Sequence, residues 1–299
     1  MQANRTRAVA TALLAVALAA LGLAGTAQAK LVGNYTKFVQ CPYANLEVKK
    51  CIYSVTESGE VVLGAKKVPI EKPVVLQGGF GAATEEKEEA LFAKFYEASN
   101  GITLSKAPQS VPGGLLGIIP EASQPALVKA LIKFFFENSL TGVNSTLELA
   151  KPASEIRVSE NNLAGEIGTA MQMPVKVHLE NPFLGKNCFV GSSSNPITWK
   201  LSTGTTKPPA PNTPITGSAG EIEFLEEGRI LLAKNNKLVD NAWSAPKAAG
   251  CGGILSFLVD PIINAQLGTT TAGHNTAILK GTLNVASAAA VRKNNSENP

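Results

Sequence analysis

Apolar and polar residues alternate most regularly over Met171–Glu180. Met171, Met173, Val175, Val177 and Leu179 share one side; Gln172, Pro174, Lys176, His178 and Glu180 share the other. A period of two marks a half-buried strand. Pro174 cannot donate to a ladder, so its place on the polar side predicts an edge position or a bulge. Ile197, Trp199 and Leu201 alternate with Thr198 and Lys200, and Leu147 and Leu149 with Thr146 and Glu148. Leu279, Gly281, Leu283 and Val285 alternate with Lys280, Thr282 and Asn284. Strands with one wet face argue for antiparallel sheets. Residues 31–77 predict short strands: 52–56, a turn at Glu57-Ser58-Gly59-Glu60, then 61–63, then 73–77 closed by Gly78 and Gly79. Glu221–Leu225 and 229–233 predict a hairpin around Glu226-Glu227-Gly228, and 205–217, with four prolines, a stiff extended loop.

Three segments carry helical spacing. Thr84 is a candidate N-cap with Glu85 and Glu86 in the first turn; Leu91 and Phe95, and Phe92 and Tyr96, repeat four apart before the stop at Asn100-Gly101. Ser123 and Pro125 open a second helix on which Leu127, Val128, Leu131, Ile132, Phe134, Phe135 and Phe136 leave one narrow polar stripe, Lys129, Lys133 and Glu137. A helix that is apolar nearly all round is expected to be buried, either as core or as the wall of an apolar ligand cavity, with Leu127, Leu131, Phe134, Phe135 and Phe136 as the wall. Asp260-Pro261 is expected to cap a short third helix ending at Gly268. Gly113-Gly114-Leu115-Leu116 and Gly252-Gly253-Ile254-Leu255 each precede an apolar helix and an alternating strand, an internal echo. The fold class that follows is mainly β with two or three helices: an antiparallel curved sheet or β-sandwich covered by apolar helices.

The N-terminus reads differently. Arg5 and Arg7 precede an apolar run ending at Leu23, and Ala27-Gln28-Ala29 supplies a small-x-small cleavage pattern. This is the layout of a secretory signal peptide, residues 1–29, with no cysteine at the cut to take a lipid. Residues 30–291 are then expected to form one secreted β-rich domain, with 112–120 as the place for any subdivision, and 292–299 a polar tail. Export makes Cys41, Cys51, Cys188 and Cys251 disulfide partners; three pairings are open, and proximity favours Cys41–Cys51 and Cys188–Cys251. No second stretch is long and apolar enough for a membrane span.

Charge and motifs narrow the chemistry. The formal charge of +4 falls to about +2 once Arg5 and Arg7 leave with the signal (4 − 2), and no basic run suggests nucleic acid. Asp240 and Asp260 are the only aspartates, which removes Asp-rich calcium loops. Nucleophile elbow, zinc-protease and phosphate-loop patterns are absent. His178 reads as a solvated strand residue and His274 as an incidental loop residue. Glu221 and Glu223 are neighbours on one strand face rather than a pair facing across a substrate. Trp199 points inward; Trp243 is a candidate surface platform, with packing over a sheet end the commoner alternative. No catalytic residue, metal site or cofactor is assigned.

At Cys41-Pro42, Cys51, Val111-Pro112-Gly113-Gly114-Leu115-Leu116-Gly117, and Asp240-Asn241 through Gly250-Cys251-Gly252, the chain resembles secreted proteins of high-GC Gram-positive bacteria to which no activity is assigned. The resemblance implies a bacterial exported protein and idle glycosylation triplets at Asn34, Asn144 and Asn294. The reading is a secreted, disulfide-bonded, non-catalytic extracellular binding or envelope-associated protein. The alternatives are a carrier of an apolar ligand such as lipid, and an extracellular hydrolase. N-terminal sequencing of the exported protein should begin at Lys30; an intact Met1 would contradict the signal assignment.

Overall fold

The computed structural model describes residues 30–87, 90–117, 123–136 and 140–298; the stretch expected to be a signal peptide, residues 1–29, lies outside them. The spine is one long strand, β1 (Lys50–Leu63), where the pattern predicts two strands and a turn. The pairing register shifts between Thr56 and Ser58, so the expected turn is a bulge. Gly59, at φ +126°, is what the bend requires: a β-carbon there would lie 2.0 Å from the Ile278 carbonyl oxygen.

The other strands are β2 (Lys66–Pro69), β3 (Val74–Lys87), β4 (Ala90–Tyr96), β5 (Gln109–Val111), β6 (Val143–Leu149), β7 (Arg157–Val158) and β8 (Met171–Glu180). After them come β9 (Phe189–Val190), β10 (Ile197–Leu201), β11 (Glu221–Leu225), β12 (Ile230–Asp240), β13 (Ala248–Ala249) and β14 (Thr276–Ser287). They form one antiparallel sheet in the order β11-β12-β14-β1-β3-β4-β7-β8-β6-β5, with β2 on β1, β9 and β10 on β8, and β13 on β9. The helices are α1 (Ala126–Phe136), α2 (Glu160–Gly165), α3 (Ser256–Leu267) and α4 (Ala288–Glu297). The fold is thus the expected mainly-β curved sheet with a few helices.

Several local expectations are corrected. The helix expected after Thr84 is the β3–β4 hairpin, in which Phe80 pairs Phe95 and Glu86 pairs Leu91. Phe92 and Phe95 are buried while Leu91 is exposed, so the four-residue spacing of Leu91 and Phe95 does not define a common face. Long-range pairing overrides a helix-like local pattern here. Pro174 is not on an edge, since β8 is flanked by β6, β7, β9 and β10. It falls where the β6 ladder has ended, at Leu149–Val175, and β7 has not begun, at Arg157–Gln172. Pro261 lies inside α3, so Asp260 does not cap that helix. Its carboxylate accepts from the Gly250 and Cys251 N–H groups instead. The polar C-terminus is largely α4, whose Arg292 donates to the Tyr43 carbonyl.

The sheet curls without closing its ladder, and two gaps are bridged locally, one by a backbone pair and a side chain and the other by a side chain. At one, Ser202 and Val239 exchange backbone hydrogen bonds between the end of β10 and β12. Buried Asp240 extends this seam, its Oδ2 accepting from Lys200 N at 2.6 Å and its Oδ1 from Ala242 N at 3.0 Å. At the other, β2 lies against β5 with no ladder between them. Buried Gln109 joins them: Oε1 accepts from the Glu71 and Lys72 N–H groups, and Nε2 donates to the Lys72 and Ala107 carbonyls. One main core, running from Ile52 to Leu283, lines the curve. A second small core joins Tyr35 and Phe38 to Ile230, Ala288 and Val291. Cys41–Cys51 and Cys188–Cys251 are both bonded, as proximity favours.

Burial raises the pKa of Asp240 above the usual aspartate value, against the opposing pull of its two backbone donors. The folded chain therefore takes up this proton before the unfolded chain as pH falls. The Asp240 contribution to stability grows on acidification through that window and declines as pH rises through the folded value. Relative to Asp240→Asn, the native protein should gain stability by denaturant titration as pH falls from neutral into that window. A difference constant with pH contradicts the assignment.

Candidate functional site

Alternate residues of many strands face a common interior: Val61 and Leu63 of β1, Val68 of β2, Leu76 of β3, Leu147 of β6, Met173 and Val177 of β8, and Leu279 of β14. They do not fill it. They bound a cavity of about 140 Å³. Protein interiors rarely keep voids larger than a water molecule, and an apolar cavity of about 150 Å³ stays dry and takes up benzene. The volume is below the roughly 300–1,000 Å³ of a site that encloses a drug-sized ligand. It suits a ring or the end of an alkyl chain.

Polar groups on the wall are few and mostly committed. Gln109 has both ends occupied in the seam described above. Ser145 Oγ donates to the Gln109 carbonyl at 3.5 Å and Ser54 Oγ to the Thr282 carbonyl at 3.4 Å. Lys66 is the one charged side chain on the described lining. It has no hydrogen bond or ion pair among the described residues, whereas the adjacent Lys67 pairs with Glu60 at 2.6 Å. Burial alone holds the Lys66 ammonium below the usual lysine pKa. The two residues before it are held: Gly64 N donates to Asn275 Oδ1 at 2.9 Å and Ala65 N to the Leu267 carbonyl at 2.8 Å. Trp199 also lines the void; it meets Trp243 edge-on at 6.0 Å, and its Nε1–H is buried with no partner. Trp243 is buried and donates to the Asp240 carbonyl, so it is packed over the sheet and is not a surface platform.

Lys66 sits at the end of the cavity bounded by α3 and the 3₁₀ turn Gly114–Leu116. Gln266 of α3 donates from Nε2 to the Leu115 carbonyl at 2.7 Å, joining the two. A β-carbon at Gly117 would lie 2.9 Å from Lys66 Nζ and 3.3 Å from Gln266 Oε1, which puts both polar tips beside this turn. The helix α1 packs on the same turn. The two Gly-Gly sites share their geometry: Gly113, Gly114, Gly252 and Gly253 all take positive φ, and each pair opens a 3₁₀ turn.

This end of the molecule presents apolar side chains to water. Leu127 is 72% exposed and Leu131 47%, so α1 is not the buried helix its composition predicts, and neither residue lines the cavity. The side chains of Phe134, Phe135 and Phe136 lie outside the described set. Around the start of α3, Ile254 is 94% exposed, Phe257 70% and Ile262 57%. Phe183 joins them, because the Gly252 N–H donates to the carbonyl of the next residue, Leu184. Asn181 in turn donates to the Leu140 and Gly142 carbonyls, which brings exposed Leu140 into the collar. Cys188–Cys251 holds the 181–187 loop against α3.

On the outer sheet face, His178 is not a solvated residue. It stacks on Phe189 at 4.4 Å, its Nε2 is 3.1 Å from the Lys186 carbonyl oxygen, and Nδ1 lies 3.8 Å from Glu180. Burial would raise the pKa of neighbouring Glu148, but Lys106 and Lys176 together hold it below the usual value. His274 contacts Thr271 in its loop. Among the described residues no His, Cys, Asp and Glu cluster could hold a metal, and no helix is long and apolar enough to cross a membrane. No protein-family model, curated protein or solved structure matches this chain.

Of the strands that line the cavity, β6, β8, β10 and β14 were legible as alternating with one inward face; β2 was not legible at all, and the void itself has no sequence motif. Lys66 had one signal, its shared parity with Val68 and Ile70, which both line the cavity. Replacing Cys188 and Cys251 together by Ser should cost about 4 kcal/mol on the chain-entropy account. Hydrogen exchange should rise first in α3 and 181–187. Unchanged protection there would contradict a clamping role.

Proposed function

We propose that this is a secreted, non-catalytic binding protein that holds an apolar molecule inside its curved sheet. The observation that carries this reading is the unfilled, aliphatic cavity beneath the sheet. The described wall contains no His, Cys, Asp or Glu, so its chemistry suits retention by shape and apolar area rather than transformation. Two disulfides fit an oxidising, extracytoplasmic setting. Filling the void tests the reading. Val177→Phe should abolish uptake of an alkyl or aromatic probe while leaving the melting temperature unchanged or raised. Undiminished uptake would place binding elsewhere.

A second element of the reading is contact with a lipid surface, supported by the exposed apolar collar at the Lys66 end of the cavity. Segments 182–187 and 247–268 carry Lys186 and Lys247. Their one acid, Asp260, is engaged by backbone N–H groups. Apolar side chains among uncompensated lysines suit an anionic bilayer, and a ligand could then pass between bilayer and cavity without crossing water. Co-sedimentation with phosphatidylglycerol vesicles should be lost in the double variant Ile254→Glu, Phe257→Glu while cavity binding persists. Equal sedimentation of both proteins would remove the collar from the account.

A further inference from the structure

We infer that the cavity takes a single-chain, monoanionic amphiphile, with the end of its chain in the void and its carboxylate on Lys66. This rests on the cavity reading above and adds the chemistry of the head group. Every other polar side chain on the wall is either committed, as Gln109 is, or uncharged. Lys66 alone brings a charge, and nothing among the described residues neutralises it. A half-buried ammonium without a partner is costly, and an anion arriving at that point recovers the cost. The contrast with Lys67 is instructive: two adjacent lysines, one paired with Glu60 and one lining an apolar void whose described wall holds no acid. A single ammonium matches one negative charge, where a dianion would ask for more donors. The free Oε1 of Gln266, beside the same turn, is an acceptor for a protonated head or for a bridging water. The small volume agrees, since it encloses part of a chain and leaves the head at the Lys66 end.

Calorimetric titration of detergent-free protein with decanoate, decanol and decylamine tests this, using the native chain and Lys66→Met. In the native protein decanoate should bind about tenfold more tightly than decanol, the worth of one charge-assisted hydrogen bond, and decylamine most weakly. Lys66→Met should bind decanol unchanged, which also reports that it is folded, and should bind decanoate no better than decanol. Equal affinity of acid and alcohol in the native protein would overturn the anion assignment and leave the cavity standing. A preference for decanoate that survives in Lys66→Met would overturn the role of Lys66. If none of the three binds the native protein, the cavity reading falls and this inference with it. Should Lys66→Met fail to fold, the order of the three ligands on the native chain still decides.

Discussion

A side-chain amide stands in for a missing ladder. The sheet bends far enough to bring β2 against β5, yet the two strands share no backbone pairing. Gln109 supplies the contact with three hydrogen bonds to Glu71 and Lys72, just past β2, and a fourth to Ala107 on its own segment. An amide has two acceptor sites and two donors, so the seam is satisfied without leaving an orphan. Asp240 does the corresponding work at the β10–β12 gap. Because the curve is held at its seams, the interior need not pack to density for the sheet to keep its shape, and the strands can face one another across a void.

The distribution of apolar groups follows. Inside, aliphatic side chains pack into one core yet leave space among them. Outside, at the end closed by α3 and the 114–116 turn, α1 and the start of α3 turn apolar residues to water. Both features cost free energy in an isolated soluble chain, one through lost dispersion contacts and one through exposed area. They adjoin through Gln266, which bonds to the turn on which α1 packs. Their adjacency makes a cavity with an apolar rim, and Lys66, the one charged side chain of the described lining, lies where the two meet.

How much of this was legible in the sequence depended on the range of the forces involved. The alternation of Met171–Glu180 and the hairpin at Glu226-Glu227-Gly228 are local and survive folding intact. The disulfides are, of three open pairings, the one that proximity favours. The segment after Thr84 misled because Leu91 and Phe95 sit four apart by accident, and pairing with β3 decides their faces. Gly59 resembled a turn because a bulge and a turn both call for positive φ. The composition of α1 announced that its surface is apolar but not what it faces, since core, cavity wall and exposed collar ask for the same residues. The cavity was invisible for a related reason: an inward aliphatic reads alike whether its neighbour is an atom or a vacancy.

The central claim is that the interior under the sheet holds an apolar, unfilled space. Crystallography under xenon pressure tests it most directly, because xenon occupies dry apolar voids and little else. The account predicts a strong xenon site bounded by Val61, Leu76, Leu147 and Met173, with the surrounding side chains unmoved. Collapse of those side chains onto one another with no xenon between them would contradict it.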